Sequence, residues 1–112
     1  MVLPAQSANA LVIFNMASCT AKVIEIPSKY RGYHDICYDV RSYWLSPRYS
    51  GGTAVKWDHA DGCNEIPVPD GWMEEDYGFL SYANGYVWNF LWFGSAVFKI
   101  NVANNETSLN TL

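Results

Sequence analysis

Apolar and polar residues alternate over short stretches of this chain and show no sustained helical period. Residues 11–15 form an apolar run with β-branched Val12 and Ile13, which suits a strand. Residues 22–26 alternate, with Glu25 between two isoleucines, and Pro27 ends the segment because proline has no ladder N–H. Residues 36–40 place Ile36, Tyr38 and Val40 on one face and Cys37 and Asp39 on the other. Residues 41–52 are expected to hold a short strand and then a turn at Gly51-Gly52, followed by a strand over 53–58 with Val55 and Trp57 on one face. Asn84-Gly85 between aromatic runs is a strong hairpin signal, and residues 95–102 alternate as a last strand. Residues 1–9 read as a loose arm, 59–72 as turn and loop, 73–80 as at most one helical turn after an Asp70 cap, and 103–112 as a polar tail. About eight short strands with turn signals between them predict an all-β sandwich or Greek-key barrel. Val12, Phe14, Val23, Trp57, Val87 and Val97 are the expected core.

A self-similarity runs through the pattern. Phe14 matches Trp57 at an offset of 43, Glu25-Ile26-Pro27 matches Glu65-Ile66-Pro67 at 40, and Trp44 answers Trp88. Two copies of one supersecondary unit, residues 11–50 and 53–102, suit a single pseudo-twofold domain.

The composition supports a dense globule. Half of the 112 residues are apolar, 16% are charged and 16% are aromatic. The net charge of −4 with dispersed lysines and arginines argues against binding a phosphate backbone. No stretch approaches the ~20 apolar residues of a membrane span. Residues 1–14 lack a basic leader region, so a cytoplasmic location is expected, or a secreted one if a leader precedes this sequence. Cys19, Cys37 and Cys63 are too few for a disulfide framework; their odd number fits free thiols or one bridge with a thiol left over.

Together these features resemble the βγ-crystallin family. Its hairpin signature is an aromatic, four residues, an aromatic, one residue and a glycine. Phe14, Cys19 and Ala21 hold those positions in the first copy; Trp57, Gly62 and Asn64 hold them in the second. Only the first aromatic survives in each. The last position needs positive φ, which Asn64 tolerates and which strains Ala21 by ~1 kcal/mol. Ser46 and Ser95 are candidates for the family's late serine. The resemblance implies two Greek keys forming a sandwich with pseudo-twofold symmetry. The residues preceding the two serines offer no carboxylate or amide, so it resembles members without calcium sites. Residues 104–108, Asn-Asn-Glu-Thr-Ser, look like the calcium pattern but follow the last expected strand. The implied role is structural or storage, as in calcium-free single-domain members of fungal fruiting bodies (the perithecium among them), with no enzymatic activity.

Candidate chemistry is sparse. Asp58, His59, Asp61, Cys63 and Asn64 form the densest polar cluster, either a metal or catalytic group or a solvated turn. His34-Asp35 is a possible general-base pair and equally a surface loop. Asp70, Glu74, Glu75 and Asp76 could form an acidic docking patch. Tyr30, Tyr33, Tyr43, Trp72, Tyr77, Tyr82 and Tyr86 could stack on sugars, giving a lectin or secreted toxin-like module, or fill the core. No catalytic, cofactor or metal residue is assigned. Self-association and glycan binding are the partner classes left open.

Overall fold

The structure, a computed structural model, describes residues 2–4, 10–26, 33–47, 54–68, 78–91 and 96–111. Within them the chain is all-β, with eleven strands in three antiparallel sheets. The first sheet holds β1 (Val2–Pro4), β2 (Ala10–Asn15) and β3 (Thr20–Glu25) in that order. The second runs β4 (Tyr33–Tyr38), β5 (Tyr43–Pro47), β6 (Ala54–Asp58), β7 (Gly62–Ile66). The third runs β8 (Gly78–Ala83), β9 (Tyr86–Leu91), β10 (Ala96–Asn101), β11 (Thr107–Thr111). No helix among the described residues is long and apolar enough to cross a membrane.

Side-chain alternation sorts the core into two layers. In the second sheet Tyr43 pairs with Trp57 and Leu45 with Val55, so these four share a face. Leu45, Val55 and Trp57 pack there against Leu11 and Ile26 of the first sheet's side. The intervening positions, Trp44 and Ala54, face the other way with Ile66 and meet Val87, Phe98 and Ile100 of the third sheet. The middle sheet is therefore apolar on both faces, and each fully buried large side chain contributes about 1.5–3 kcal/mol.

The second and third sheets lie in the same sense. Near the starts of β4 and β8, Asp35 Oδ2 accepts the Leu80 N–H at 2.8 Å. Toward the other end, Lys56 Nζ donates to Asn105 Oδ1 in the β10–β11 turn at 3.5 Å. In an antiparallel meander, alternate connections leave opposite ends. The tight turns β4–β5, β6–β7, β8–β9 and β10–β11 leave one end of these two sheets; the links after β5, β7 and β9 leave the other.

One hairpin recurs three times. Asn15, Asp58 and Asn101 end β2, β6 and β10, each 43 residues after the last. Each side chain caps its own turn: Asn15 Oδ1 accepts the Ala17 and Ser18 N–H groups, Asp58 Oδ1 those of Ala60 and Asp61, and Asn101 Oδ1 that of Ala103. Four residues beyond each cap the backbone enters the left-handed region, at Cys19 (φ 54°), Gly62 (φ 72°) and Asn105 (φ 62°).

The all-β expectation holds, and several details differ. The unit recurs three times where two copies were expected. In both four-stranded sheets the described strands follow chain order, whereas a Greek key returns its fourth strand beside its first. The second sheet spans residues 33–66, across the break expected at Gly51-Gly52, which itself lies outside the described residues. Positive φ falls on Cys19 and Gly62, two residues before the expected Ala21 and Asn64, which sit inside β3 and β7. Val40 leaves its expected strand for the β4–β5 turn at φ 80°, because Asp39 caps that turn through the Arg41 and Ser42 N–H groups. The arm and the tail contribute β1 and β11, and the expected loop after Asp61 contributes β7. Of the expected core, Trp57, Val87 and Val97 are buried, Val12 and Phe14 are half-buried, and Val23 is 62% exposed on the outer face of the first sheet.

Candidate functional site

Two regions concentrate side chains able to do more than fill space: the tight-turn end of the second sheet and the outer face of the third.

The turn end is built on two aspartates. Asp39 Oδ1 accepts the Ser42 N–H at 2.6 Å and the Arg41 N–H at 2.9 Å, while Oδ2 accepts the Trp44 indole N–H at 2.8 Å. Burial pulls the Asp39 pKa up, but these three donors and the Lys56 charge outweigh it and hold the carboxyl below its ordinary range. Asp58 is also buried; its Oδ2 accepts the Ser42 hydroxyl at 3.3 Å. The Asp61 N–H is the main cause of its lowered pKa, helped against burial by Ala60, Ser42 and the Arg41 charge. Arg41 and Asp61 form only a long, exposed pair at 3.9 Å, of the kind that contributes little.

The cluster expected from sequence thus comes apart. Asp58 is occupied by its own turn. His59 lies edge-on to Trp57 with ring centroids 4.6 Å apart. Asp61 faces Arg41, and Cys63 turns into the layer between the first and second sheets, where burial raises its pKa. Asn64 is exposed on β7 opposite Lys56. Among the described residues no three His, Cys, Asp or Glu side chains gather as a metal site would require. Asp35 accepts the Ile36 and Leu80 N–H groups and joins two sheets. The His34 side chain, Ser95, Asp70, Glu74, Glu75, Asp76, Tyr30, Trp72 and Tyr77 lie outside the described residues. Residues 104–108 form the third capped turn and the start of β11, with Asn104 Oδ1 accepting the Glu106 N–H. Ser46, the other late-serine candidate, is buried, and its hydroxyl accepts the Asp35 N–H.

The thiols are unbridged. Burial, then the charges of Asp35 and Asp39, push Cys37 up to about 12, which makes it a poor nucleophile at neutral pH. Cys19 is exposed.

The remaining aromatics divide between core and surface. Tyr33 is buried, and Tyr43 stacks on Tyr38 at 4.6 Å and tilts against Trp57 at 6.0 Å. On the outer face of the third sheet, register brings Tyr86, Trp88 and Phe90 of β9 beside Lys99 of β10. Lys99 Nζ sits 4.5 Å from the Tyr86 ring centroid and 5.5 Å from that of Trp88. Phe90 is 41% exposed. The second sheet carries the same pair, with Lys56 Nζ 5.2 Å above Trp44, and there the third sheet covers it. Sequence reasoning found Tyr86 and the Trp44–Trp88 match but missed Lys56 and Lys99. Their shared spacing of 43 was the available signal.

Sequence reasoning also missed Asn89. It lies on the covered face of the third sheet opposite Leu80 and Phe98, at 0% exposure, with neither amide atom hydrogen-bonded among the described residues. No family model matches the chain, and no curated protein matches it.

Proposed function

We propose that this chain is an arc of a β-propeller-type scaffold and that it acts by recognising a partner rather than by catalysis. The observation that carries the reading is the repeat of 43 residues, in which a capped hairpin and a Lys–Trp pair recur on meander sheets packed face to face in chain order. Radial repetition of four-stranded sheets is how propellers protect their edges, and it favours this architecture over a paired Greek key. Such scaffolds present the connections at one end of the sheets. Here three of the four tight turns, β4–β5, β6–β7 and β10–β11, are engaged by their own caps, which favours the end carrying the links after β5, β7 and β9 for recognition.

Arrays of immobilised glycans and peptides probed with the labelled chain test this. The expected result is selective binding that is lost on shortening the link after β7 and unchanged by Asn84→Ala in the opposite turn. Selective binding that survives the shortened link, or none to any ligand class, would sink it.

A calcium-independent structural or storage protein, the role implied by the crystallin resemblance, is the second reading. It is favoured by the engagement of Asp35, Asp39 and Asp58 in turns and sheet contacts. That role is also non-enzymatic and has no ligand at the link end, so the same arrays separate the two.

A further inference from the structure

The repeat specifies what should cover the two outer faces. Val12, Val55 and Phe98 occupy one position of the unit, spaced by 43. Val55 is fully buried against the first sheet and Phe98 against the second, whereas Val12, on the outer face of the first sheet, is only half-buried. Its cross-strand neighbour Val23 is 62% exposed. The other outer face shows the same deficit around Trp88, although Val97 on that face is buried: Trp44 is buried beneath the third sheet, while its counterpart Trp88 is half-buried with Phe90 exposed beside it. Lys56 reaches across the interface from Trp44 to Asn105 in the next sheet's turn. Lys99 stands over Trp88 in the same way, with no following sheet among the described residues to reach.

The sheet that would sit on the Trp88–Lys99 face must offer a face of the Val55 or Phe98 kind. The outer face of the first sheet is that face, and it carries Glu25, opposite in charge to Lys99, on the side of Val23. We infer that two copies of this chain close into a ring, the third sheet of each docking on the first sheet of the other. The stoichiometry follows from the fold. Propellers hold roughly four to eight sheets. Two copies of the three described sheets fall inside that range and three copies outside it. A head-to-tail contact that closes after two copies gives a discrete dimer, not a filament. This rests on the propeller reading above. It further places Lys99 of one copy beside the Met16–Cys19 turn of the other, because Cys19 holds in its hairpin the place Asn105 holds in the third.

Light scattering on the full chain at about 100 µM, followed by a short amine-to-thiol cross-linker, tests the inference. The expected mass is twice the 12.6 kDa of one chain, and the expected intermolecular product joins Lys99 to Cys19. Val23→Asp and Phe90→Asp, both at exposed positions and so compatible with folding, should each return the mass to one chain and abolish the link. A monomeric wild type overturns the inference, and so does a dimer indifferent to both substitutions. Small-angle scattering on Phe90→Asp separates the two layers of argument. A folded monomer whose scattering fits an elongated body of 44 × 28 × 21 Å keeps the stacked arc even if the second copy is wrong. A different shape removes both.

Discussion

Asn89 should be worth more to stability as a leucine. Its amide is enclosed between the second and third sheets with both polar atoms unpaired among the described residues. An amide taken from water without a replacement partner costs about 1–3 kcal/mol by protein mutational data. In the repeat set by Trp44 and Trp88, the next residue is Leu45 in the second sheet and Asn89 in the third, and both are fully buried. Leucine thus already occupies the equivalent place, and its side chain would bury apolar surface at about 25 cal/mol per Å². Added volume against Phe98 and Leu80 works the other way by about 1 kcal/mol. The expected net gain for Asn89→Leu is about 1–3 kcal/mol. For a chain of this length a kcal/mol is roughly 4 °C in Tm. Urea unfolding should show a higher midpoint at unchanged m-value, which assigns the change to stability alone. Asn89→Asp should destabilise strongly, since a buried carboxylate has no partner there. A neutral or lower midpoint for the leucine variant, with Asn89→Asp tolerated, would show that the amide is already satisfied and refute the reasoning.

Gly62→Ala should lose about 1 kcal/mol: the position sits at φ 72° with nothing within 4 Å of an added Cβ, so backbone strain alone acts. Cys19→Gly should gain a similar or smaller amount at φ 54°, and chemical denaturation checks both. Asp39 is held below its ordinary range when folded, so its stabilising contribution is full above about pH 4 and is lost as pH falls through the folded pKa. Asp39→Asn should flatten the decline of the urea midpoint as the pH falls below about 4; an unchanged slope would refute that assignment. Iodoacetamide at about pH 8 should modify exposed Cys19 first and Cys37 at least about a hundredfold more slowly, as read by peptide mass. Millimolar calcium should leave the thermal midpoint unchanged, since the acidic turn groups are already engaged by N–H donors; a rise of several degrees would contradict this.

What could be read from the chain was what its apolar letters spelled. β2 and β10 are rich in Val, Ile and Phe, β6 holds Val55 and Trp57, and all three carry buried side chains, so their pattern is plain. β3, β7 and β11 are terminal strands of their sheets among the described residues. β11 offers only Leu109 as a large apolar residue and reads as a tail. Edge strands are polar for a reason, since an apolar edge recruits other chains. The third copy was hidden because its marks, Asn101 and Asn105, hold backbone geometry and add nothing to the hydrophobic pattern. Strand order was illegible because alternation fixes which face a residue occupies but not which strand lies beside it. The Asp58 cluster misled because turn caps and metal ligands draw on the same residue types.

The carboxylate of Asp35 joins β4 to β8, and among the described residues of one copy each sheet leans on its neighbour in the chain. Disturbance should spread through such a stack like a break in a row of books. Removing an outer volume loosens one contact, while disturbing the middle one frees both companions together. Slow amide exchange should accordingly peak in β5 and β6 and fade toward β1 and β11.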